Sequence, residues 1–280
     1  MSIKVYKPTS AGRRFGSIVG QEDITATNPK KSLILMFKRN AGRNNQGKLT
    51  VRHRGGGAKR YYRLIDFKQA KYNIPAVVQT IERDPFRGAR IALVQYKDKE
   101  YRYILAPQDL KTGDNVLSSL EAISPNAGWR MPLKYIPIGN LIYNIELAPG
   151  EGGKIVRGAG LSAKLLAIEN GYAQVKLPSG EVRMAKEDCL ASVGQLSNPD
   201  HRLTCWGKAG RIRHLGRRPQ VRGKAMNPVD HPHGGGEGNC PIGLTHPKTP
   251  WGKPARGVKT RQPGKWSDKF ILSRRGKKHH

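Results

Sequence analysis

Two histidines near the C-terminus stand in a stretch where proline, glycine and cations surround every group that could do chemistry. The stretch runs from Arg222 to Gly238 and reads RGKAMNPVDHPHGGGEG. Pro228 and Pro232 exclude a helix, because proline lacks an N–H and restricts the residue before it. The three consecutive glycines, 234–236, let the backbone approach a large partner closely. Since the segment has almost nothing to bury, we expect a partner to be needed to order it.

The titratable groups of this stretch allow three chemistries. His231, His233, Cys240 and His246 offer nitrogen and sulfur ligands, but their spacing matches no zinc pattern. We therefore predict no metal site, although the glycine-rich chain could still close one. Asp230 and His231 are adjacent, and adjacent side chains usually point apart, so adjacency alone makes no dyad. No nucleophile or scaffold is evident, so no catalytic residue is predicted and His231 is kept only as an alternative. Histidine also hydrogen-bonds ribose and phosphate and stacks on bases, which is the favoured interpretation.

A second triple glycine lies between cations in the N-terminal part of the chain. Residues Arg52–Arg60 read RHRGGGAKR. Backbone N–H groups there could meet phosphates directly, and arginine forks could grip them. The alternative is a solvated, flexible basic tail, which two such segments in one chain make less attractive.

The net charge of +31 on 280 residues predicts a polyanionic partner. No membrane is expected, because the longest apolar run, Leu33–Phe37, is far too short to span one. Residues 1–60 carry 14 Lys and Arg against 2 acids, residues 61–200 carry 18 against 15, and residues 201–280 carry 19 against 3. Two basic arms therefore flank a balanced middle. Three cysteines make no disulfide framework and fit a reducing compartment.

The middle of the chain predicts a mainly β fold, with an OB-fold barrel followed by an SH3-like barrel. Strands are expected at 61–67, 75–81, 90–96 and 100–105. A second set includes 135–138 and 141–147, and residues 164–169 and 172–177 form the clearest hairpin, around Asn170-Gly171. The predicted organisation is a basic arm at 1–60, an OB-fold-like RNA-binding domain at 61–125, an SH3-like domain at 126–200 and a basic, Gly/Pro-rich arm at 201–280. The arms are long and irregular.

Several features favour folded RNA over DNA as the partner. The sequence holds no helix-turn-helix, zinc finger or basic zipper, so DNA binding is not expected. Irregular basic arms can thread between packed RNA helices, where phosphates crowd from many directions. Trp206, Trp251 and Trp266 could stack on bases or sugars, or pin the C-terminal arm to the body.

Five segments carry a resemblance to a known family: Lys7–Arg14, Gly42–Lys68, Asp84–Leu93, Leu177–Met184 and Arg222–Gly238. They resemble the bacterial-type large-subunit ribosomal protein L2 family almost end to end. The resemblance implies an OB-fold and an SH3-like domain, with arms that penetrate 23S-type ribosomal RNA. It also implies a place near the peptidyl transferase region and the subunit interface, with roles in subunit association, tRNA binding and support of peptide-bond formation. The last role has been ascribed in the family to the histidine that matches His231.

The chain departs from the family pattern at four positions. Asn239 stands where Arg or Lys is usual, which removes one expected phosphate contact. Ala11, Ala58 and Phe86 stand where Pro, His and Asn are common. None of these lies in the central stretch.

From the residues and the resemblance we predict a structural component of the large ribosomal subunit, not an enzyme. Expected partners are 23S-type rRNA, other large-subunit proteins and the small subunit, without self-association. No cofactor is expected, apart from Mg²⁺ associated with the RNA. The start of the chain matches the family's start without a transit peptide, which favours a bacterial cytoplasm over a plastid. The alternatives are an RNA-dependent transferase that uses His231 and a free, basic, chromatin-like protein. The predicted rRNA-binding residues are Arg13, Arg14, Arg43, Arg52, His53, Arg54, Gly55, Gly56, Gly57, Lys59, Arg60, Arg211, Arg213, Arg217, Arg218, Arg222, Lys224, Asn227, Asp230, His231, His233, Gly234, Gly235 and Gly236.

Overall fold

The structure, a computed structural model, describes residues 3–237 and 239–274. The described chain forms two compact units. The first, here the barrel unit, comprises the residues up to Lys38, Lys59–Ala209 and the residues from Lys269 onward. The second, here the basic unit, comprises Arg39–Ala58 and Gly210–Asp268. None of the helices in the described residues is long and apolar enough to cross a membrane.

The described chain is mainly β, with short 3-10 turns and one short α-helix, α1, at Ala209–His214. The strands, in chain order, are β1 Ile3–Val5, β2 Ser17–Val19, β3 Ile34–Leu35, β4 Tyr62–Arg63, β5 Ala76–Arg83, β6 Arg90–Tyr96, β7 Tyr101–Leu105, β8 Asn115–Val116, β9 Arg130–Pro132, β10 Leu141–Tyr143, β11 Ala163–Glu169, β12 Tyr172–Lys176, β13 Val182–Lys186, β14 Leu190–Val193 and β15 Ile271–Ser273. The 3-10 turns are Lys31–Leu33, Leu133–Tyr135, Pro199–Leu203, Gly223–Ala225 and Trp266–Phe270.

The first large sheet has the order β7-β6-β5-β8, with antiparallel neighbours. Apolar side chains such as Ala76, Val78 and Ile104 point to one face and form a buried cluster. A bulge between Val78 and Thr80 bends β5, as expected for a sheet that curls towards a barrel. The predicted hairpin across residues 97–99 is present.

The second large sheet has seven strands in the order β15-β13-β12-β11-β10-β14-β9. The predicted hairpin at Asn170-Gly171 joins β11 to β12, and both residues have positive φ, 50° and 79°. A type I′ turn needs this conformation, and Asn and Gly adopt it with little strain. Cys189 is fully buried, as predicted for a small core residue. The fold class, an OB-fold followed by an SH3-like barrel, is thereby confirmed.

Three strand predictions were wrong in detail. The strand expected at 141–147 is shortened to β10, because Asn144 has a φ of 50° and leaves the extended conformation. Residues 135–138 form no strand, because the chain turns in a 3-10 helix at Leu133–Tyr135 and Pro137 offers no N–H to a sheet. The strand expected at 61–67 is reduced to β4. After β4 the chain passes to β7, where Ile65 forms a parallel bridge with Tyr103. It then turns at Asp66, whose carboxylate accepts the backbone N–H groups of Lys68 and Gln69 at 3.0 and 2.7 Å.

The described N-terminal residues up to Lys38 pack within the barrel unit. The strands β1 and β2 form a small antiparallel pair, and Ser17 exchanges two hydrogen bonds with Cys205 at 3.0 and 2.8 Å. The carboxylate of Asp23 accepts two hydrogen bonds from Arg90, at 2.8 and 3.1 Å. The domain boundaries expected at 60, 125 and 200 stay predictions, since the compact units divide the chain in a different way.

Candidate nucleic-acid interface

The basic unit concentrates the positive charge. It carries 17 Lys and Arg against 3 Asp and Glu. It also holds most of the predicted RNA-binding residues: all of them except Arg13, Arg14, Lys59 and Arg60, which belong to the barrel unit. A surface with this charge attracts phosphates and releases their counterions on binding.

The first triple glycine lies antiparallel to the segment that follows α1. The N–H of Gly55 donates to the Gly216 carbonyl at 2.8 Å, and the N–H of Ala58 donates to the His214 carbonyl at 2.9 Å. A third bond, of 3.0 Å, runs from the Arg218 N–H to the His53 carbonyl. This short ladder joins two segments that are about 160 residues apart in the sequence.

The glycines of this ladder allow close approach of protein to protein. A Cβ atom built on Gly57 would lie 2.8 Å from the backbone nitrogen of Gly216, closer than real Cβ contacts. A Cβ atom on Gly56 would lie 3.2 Å from the guanidinium of Arg213. The sequence predicted that these amides meet phosphates; the Gly55 amide is instead bonded within the protein. Contacts of these glycines with RNA stay a prediction.

The side chains beside the ladder present cations to solvent. Arg54 and Arg217 form the bridge between its two segments, and both are exposed, as are Arg52 and Arg218. The guanidinium of Arg52 lies 5.3 Å from the ring centroid of Trp251, which is 75% exposed. Arg52 therefore rests on an aromatic face within the basic unit, a geometry that orders the arginine and leaves ring surface open.

The stretch around the second triple glycine folds back on itself. The N–H of Gly234 donates to the His231 carbonyl at 2.8 Å, and the N–H of Gly235 donates to the Met226 carbonyl at 3.0 Å. Asp230 N–H donates to the Asn227 carbonyl at 3.1 Å. The expectation that this segment lacks a shape of its own is corrected here. The bond between Gly235 and Met226 closes residues 226–235 into a loop, and the Ala225 N–H donates to the Arg222 carbonyl at 2.9 Å in the turn that leads into it. Residues 222–235 are named the histidine loop below.

Glycine is required within the histidine loop for two different reasons. Gly235 has a φ of 82°, a conformation that L side chains rarely adopt, and a Cβ there would lie 2.9 Å from Pro228. Gly223 has no such conformation, but its missing Cβ makes room for the ring of His231. As a result, His231 is only 8% exposed, while Val229 at the loop tip is 92% exposed.

The two histidines hold their ring nitrogens in defined roles. His231 Nδ1 accepts the backbone N–H of His233 at 3.0 Å, and His233 Nε2 accepts the backbone N–H of Lys248 at 2.9 Å. A nitrogen that accepts a hydrogen bond carries no proton, so the neutral rings have their protons on His231 Nε2 and His233 Nδ1. Burial, helped by the charges of His231 and Lys248, lowers the pKa of His233 below its ordinary 6.5.

This arrangement bears on the metal and catalytic alternatives. The rings of His231 and His233 lie 4.9 Å apart between centroids, but each has one nitrogen engaged with a backbone N–H. Over residues 3–237 and 239–274, no three His, Cys, Asp or Glu side chains lie where they could share a metal ion. In the neutral ring His231 Nε2 carries the proton and acts as a donor, whereas a general base needs a free lone pair.

The four predicted residues of the barrel unit differ in how firmly they are held. Arg13 and Arg14 are exposed, with their guanidinium groups 5.0 and 4.9 Å from the rings of Tyr6 and Phe15. Arg60 is half-buried and lies 4.7 Å from the ring centroid of Phe86. Lys59 is exposed.

Some residues that shape the interface were not predicted. Arg39 donates to the Gly57 carbonyl, and Lys248 fixes His233. Lys253, Arg256 and Lys259 add exposed cations to the basic unit. The density of Lys and Arg between 248 and 261 was a signal for the last three, whereas nothing local indicates the partners of Arg39 and Lys248.

Two family models match the chain. The model described as "Ribosomal Proteins L2, RNA binding N-terminal domain" matches residues 30–118, and the model described as "Ribosomal Proteins L2, C-terminal domain" matches residues 126–252. The first match includes β3 to β8 and the 39–58 part of the basic unit. The second includes β9 to β14, α1 and the histidine loop. The chain therefore belongs to the ribosomal protein L2 family, whose members are structural, RNA-binding constituents of the large ribosomal subunit.

Proposed function

We propose that this protein binds 23S-type ribosomal RNA beside the peptidyl transferase region, with the histidine loop as its nearest part. There it supports subunit association, tRNA binding and peptide-bond formation as a scaffold. The observation that carries the proposal is the loop itself, which is closed by its own backbone bonds and projects Val229, 92% exposed, at its tip. A preformed loop loses little conformational entropy when RNA closes around it. The partners are 23S-type rRNA, neighbouring large-subunit proteins and the small subunit, in a bacterial cytoplasm.

The charge distribution supports contact with crowded phosphates. Four exposed arginines lie in or beside the backbone ladder that joins residues 53–58 to residues 214–218. They belong to the same compact unit as the histidine loop, and they are Arg52, Arg54, Arg217 and Arg218. Arginine forks grip phosphate oxygens in a bidentate manner and fix the orientation of a protein on RNA. We propose these side chains, with the remaining predicted residues, as the phosphate contacts, and the His231 Nε2–H as a hydrogen-bond donor to RNA.

The catalytic alternative, in which His231 takes a proton during peptide transfer, finds less support. Its Nδ1 already accepts the His233 N–H, so a free lone pair on Nε2 would require the other tautomer and the loss of that bond. A donor role keeps the bond. We therefore propose that His231 positions the loop and the RNA, and does not take part in the chemical step.

The location can be tested by cleaving RNA from a tethered iron chelate. Val229→Cys carries the chelate, and Cys205 and Cys240 are replaced by serine. Cys189 stays, because it is buried and its pKa is raised to about 11, which leaves little reactive thiolate. The control tether is Ile138→Cys, at a position that is 63% exposed in the barrel unit.

In assembled large subunits, hydroxyl radicals from position 229 should cut 23S-type rRNA at the peptidyl transferase nucleotides. Radicals from position 138 should cut elsewhere. If position 229 yields cuts only in nucleotides remote from the peptidyl transferase region, the proposed location is wrong.

A further inference from the structure

Three aromatic side chains form an exposed row on the barrel unit. The ring centroids of Phe37 and Tyr62 are 5.0 Å apart, and those of Tyr62 and Phe86 are 5.6 Å apart. Phe37 is 55% exposed and Phe86 is 43% exposed. Rings in mutual contact normally serve a core, but the two outer rings of this row keep about half of their surface in solvent. We call these three residues the aromatic row.

Two arginines lie against the row. The guanidinium carbon of Arg60 is 4.7 Å from the Phe86 centroid, and that of Arg87 is 5.0 Å from the Tyr62 centroid. Arg60 also donates to the Pro85 carbonyl at 3.2 Å, and Arg87 donates to the Tyr62 hydroxyl at 3.0 Å. These bonds hold both guanidinium planes in place, so that cations and rings form one ordered surface.

Asp84, the acidic residue beside the row, does not neutralise the positive charge that the row presents to solvent. The Asp84 side chain is fully buried and its carboxylate pairs with Arg87. Lys59, the residue before Arg60, adds an exposed cation, and its Nζ lies 5.5 Å from the ring centroid of Tyr61. The rim of the row is therefore basic, which fits a polyanionic strand and does not fit an apolar protein surface.

We propose that the aromatic row stacks unpaired bases of the ribosomal RNA, while Arg60 and Lys59 contact the phosphates beside them. Unpaired bases in RNA loops and bulges are held in this way, by aromatic rings and guanidinium planes. The inference rests on the RNA-binding part of the proposed function and adds a site on the barrel unit.

The test compares two RNA hairpins of equal length and charge, one fully paired and one with a single bulged 2-aminopurine. Equal charge cancels the counterion contribution, which otherwise dominates binding by so basic a protein. The full-length protein should bind the bulged hairpin about 5- to 150-fold more tightly, the range expected for one stacked base, and should quench its 2-aminopurine fluorescence.

Substitutions at the row separate stacking from apolar burial. Phe86→Leu and Phe37→Leu keep an apolar side chain but lose the flat ring, so the preference for the bulged hairpin should fall towards one. Phe86→Trp and Phe37→Tyr keep a ring and should keep the preference. Tyr135→Leu is the matched control, because Tyr135 is 39% exposed on the barrel unit, lies beside Lys134 and belongs to no row; it should leave the preference for the bulged hairpin unchanged.

The outcomes decide the proposal. An unchanged preference in the Leu variants overturns it while leaving the proposed rRNA location untouched. An unchanged preference together with weaker co-sedimentation of the Leu variants with the large subunit makes the row a docking surface for a protein, and also overturns it. A wild-type protein that binds neither hairpin contradicts the RNA-binding function itself.

Discussion

Gly223 lies directly beneath the imidazole of His231. A Cβ atom built on Gly223 would lie 2.6 Å from both Cε1 and Nδ1 of that ring, closer than any real Cβ contact. The ring cannot easily move away, because its Nδ1 also accepts the His233 N–H at 3.0 Å. The conformation of the histidine loop thus depends on one missing side chain eight residues before the histidine.

We expect Gly223→Ala to open the histidine loop. The added methyl group overpacks the contact with His231, which typically costs about 1–3 kcal/mol. Trypsin reports the opening directly, since Arg222 and Lys224 flank the substituted position and should be cut faster in the variant.

Gly210→Ala is the control for this substitution. Nothing lies within 4 Å of a Cβ atom at Gly210, which is in α1, so alanine there should be neutral or slightly stabilising. Equal trypsin rates at Arg222 for the Gly223 variant and the wild type would show that the ring does not need the space.

The sequence predicted the importance of the histidine loop but not its shape. Pro228, Pro232 and three glycines excluded a helix, and residues 226–237 form none, although the short 3-10 turn Gly223–Ala225 precedes them. The closure depends on pairs such as Gly235 with Met226 and Gly223 with His231, which are set by the path of the backbone in three dimensions. Neither residue type nor spacing carries that information, so the segment was expected to be shapeless.

A second prediction concerns Asp23 and Arg90. The carboxylate accepts two hydrogen bonds from the guanidinium of Arg90, whose side chain is only 5% exposed. Asp23→Asn removes the negative charge and one of the two acceptor oxygens, so that buried Arg90 keeps only neutral acceptors such as the Gly20 carbonyl, at a cost of about 1–3 kcal/mol. We expect faster proteolysis of residues 3–38 and a lower unfolding temperature.

Asp188→Asn is the matched control, because Asp188 pairs with Lys134 at the surface, with side chains 61% and 36% exposed. Such exposed pairs contribute about 0–1 kcal/mol. If both variants unfold at the same temperature as the wild type, Asp23 does not anchor the N-terminal segment.

This pair also shows where composition misleads. Basic charge predicted that residues 1–60 form one long, irregular arm. Residues 3–38 instead pack in the barrel unit through contacts such as Asp23 with Arg90 and Thr25 with Ile81. Partners more than 50 residues apart cannot be assigned from one sequence, whereas the hairpin at Asn170-Gly171 could be, because all its determinants are local.

A third prediction concerns pH. Burial lowers the pKa of His233 below its ordinary 6.5, so the folded protein holds this ring neutral and the unfolded chain binds the proton more readily. The stabilisation from the bond between Lys248 N–H and His233 Nε2 is therefore present above about pH 6.5 and is lost as the pH falls through the folded pKa. Hydrogen exchange of the Lys248 amide, corrected for its intrinsic rate, should speed up as the pH falls below 6.5 and through the folded pKa of His233.

His233→Gln separates titration from structure. The glutamine oxygen can accept the Lys248 N–H without binding a proton, so exchange in this variant should not depend on pH after the correction. His246→Gln replaces an exposed histidine of the same unit and should leave the wild-type behaviour intact. If the pH dependence disappears in the His246 variant and persists in the His233 variant, His246 causes it and the prediction for His233 is wrong.

The last prediction separates scaffold from catalyst at His231. Asparagine at 231 places an oxygen near the position of Nδ1, which can accept the His233 N–H and keep the loop closed. Glutamine places its amide near the position of Nε2, where it can still donate to RNA. Neither side chain takes up a proton near neutral pH, so both variants test whether the chemical step needs a base at position 231. The asparagine variant does so with the loop bond kept, and the glutamine variant with the donor to RNA kept.

If His231 acted as a general base, both variants should slow peptide transfer by about 10²–10⁴-fold, the usual contribution of one positioned base. We expect instead that single-turnover transfer in purified, fully assembled particles proceeds at the wild-type rate in both. His231→Ala should assemble poorly and join subunits weakly, because it leaves the His233 N–H and the RNA acceptor unpaired, at about 1–3 kcal/mol each. A hundredfold slower chemical step in fully assembled His231→Asn particles would defeat the scaffold role, because that variant keeps the loop bond and lacks only the titratable ring.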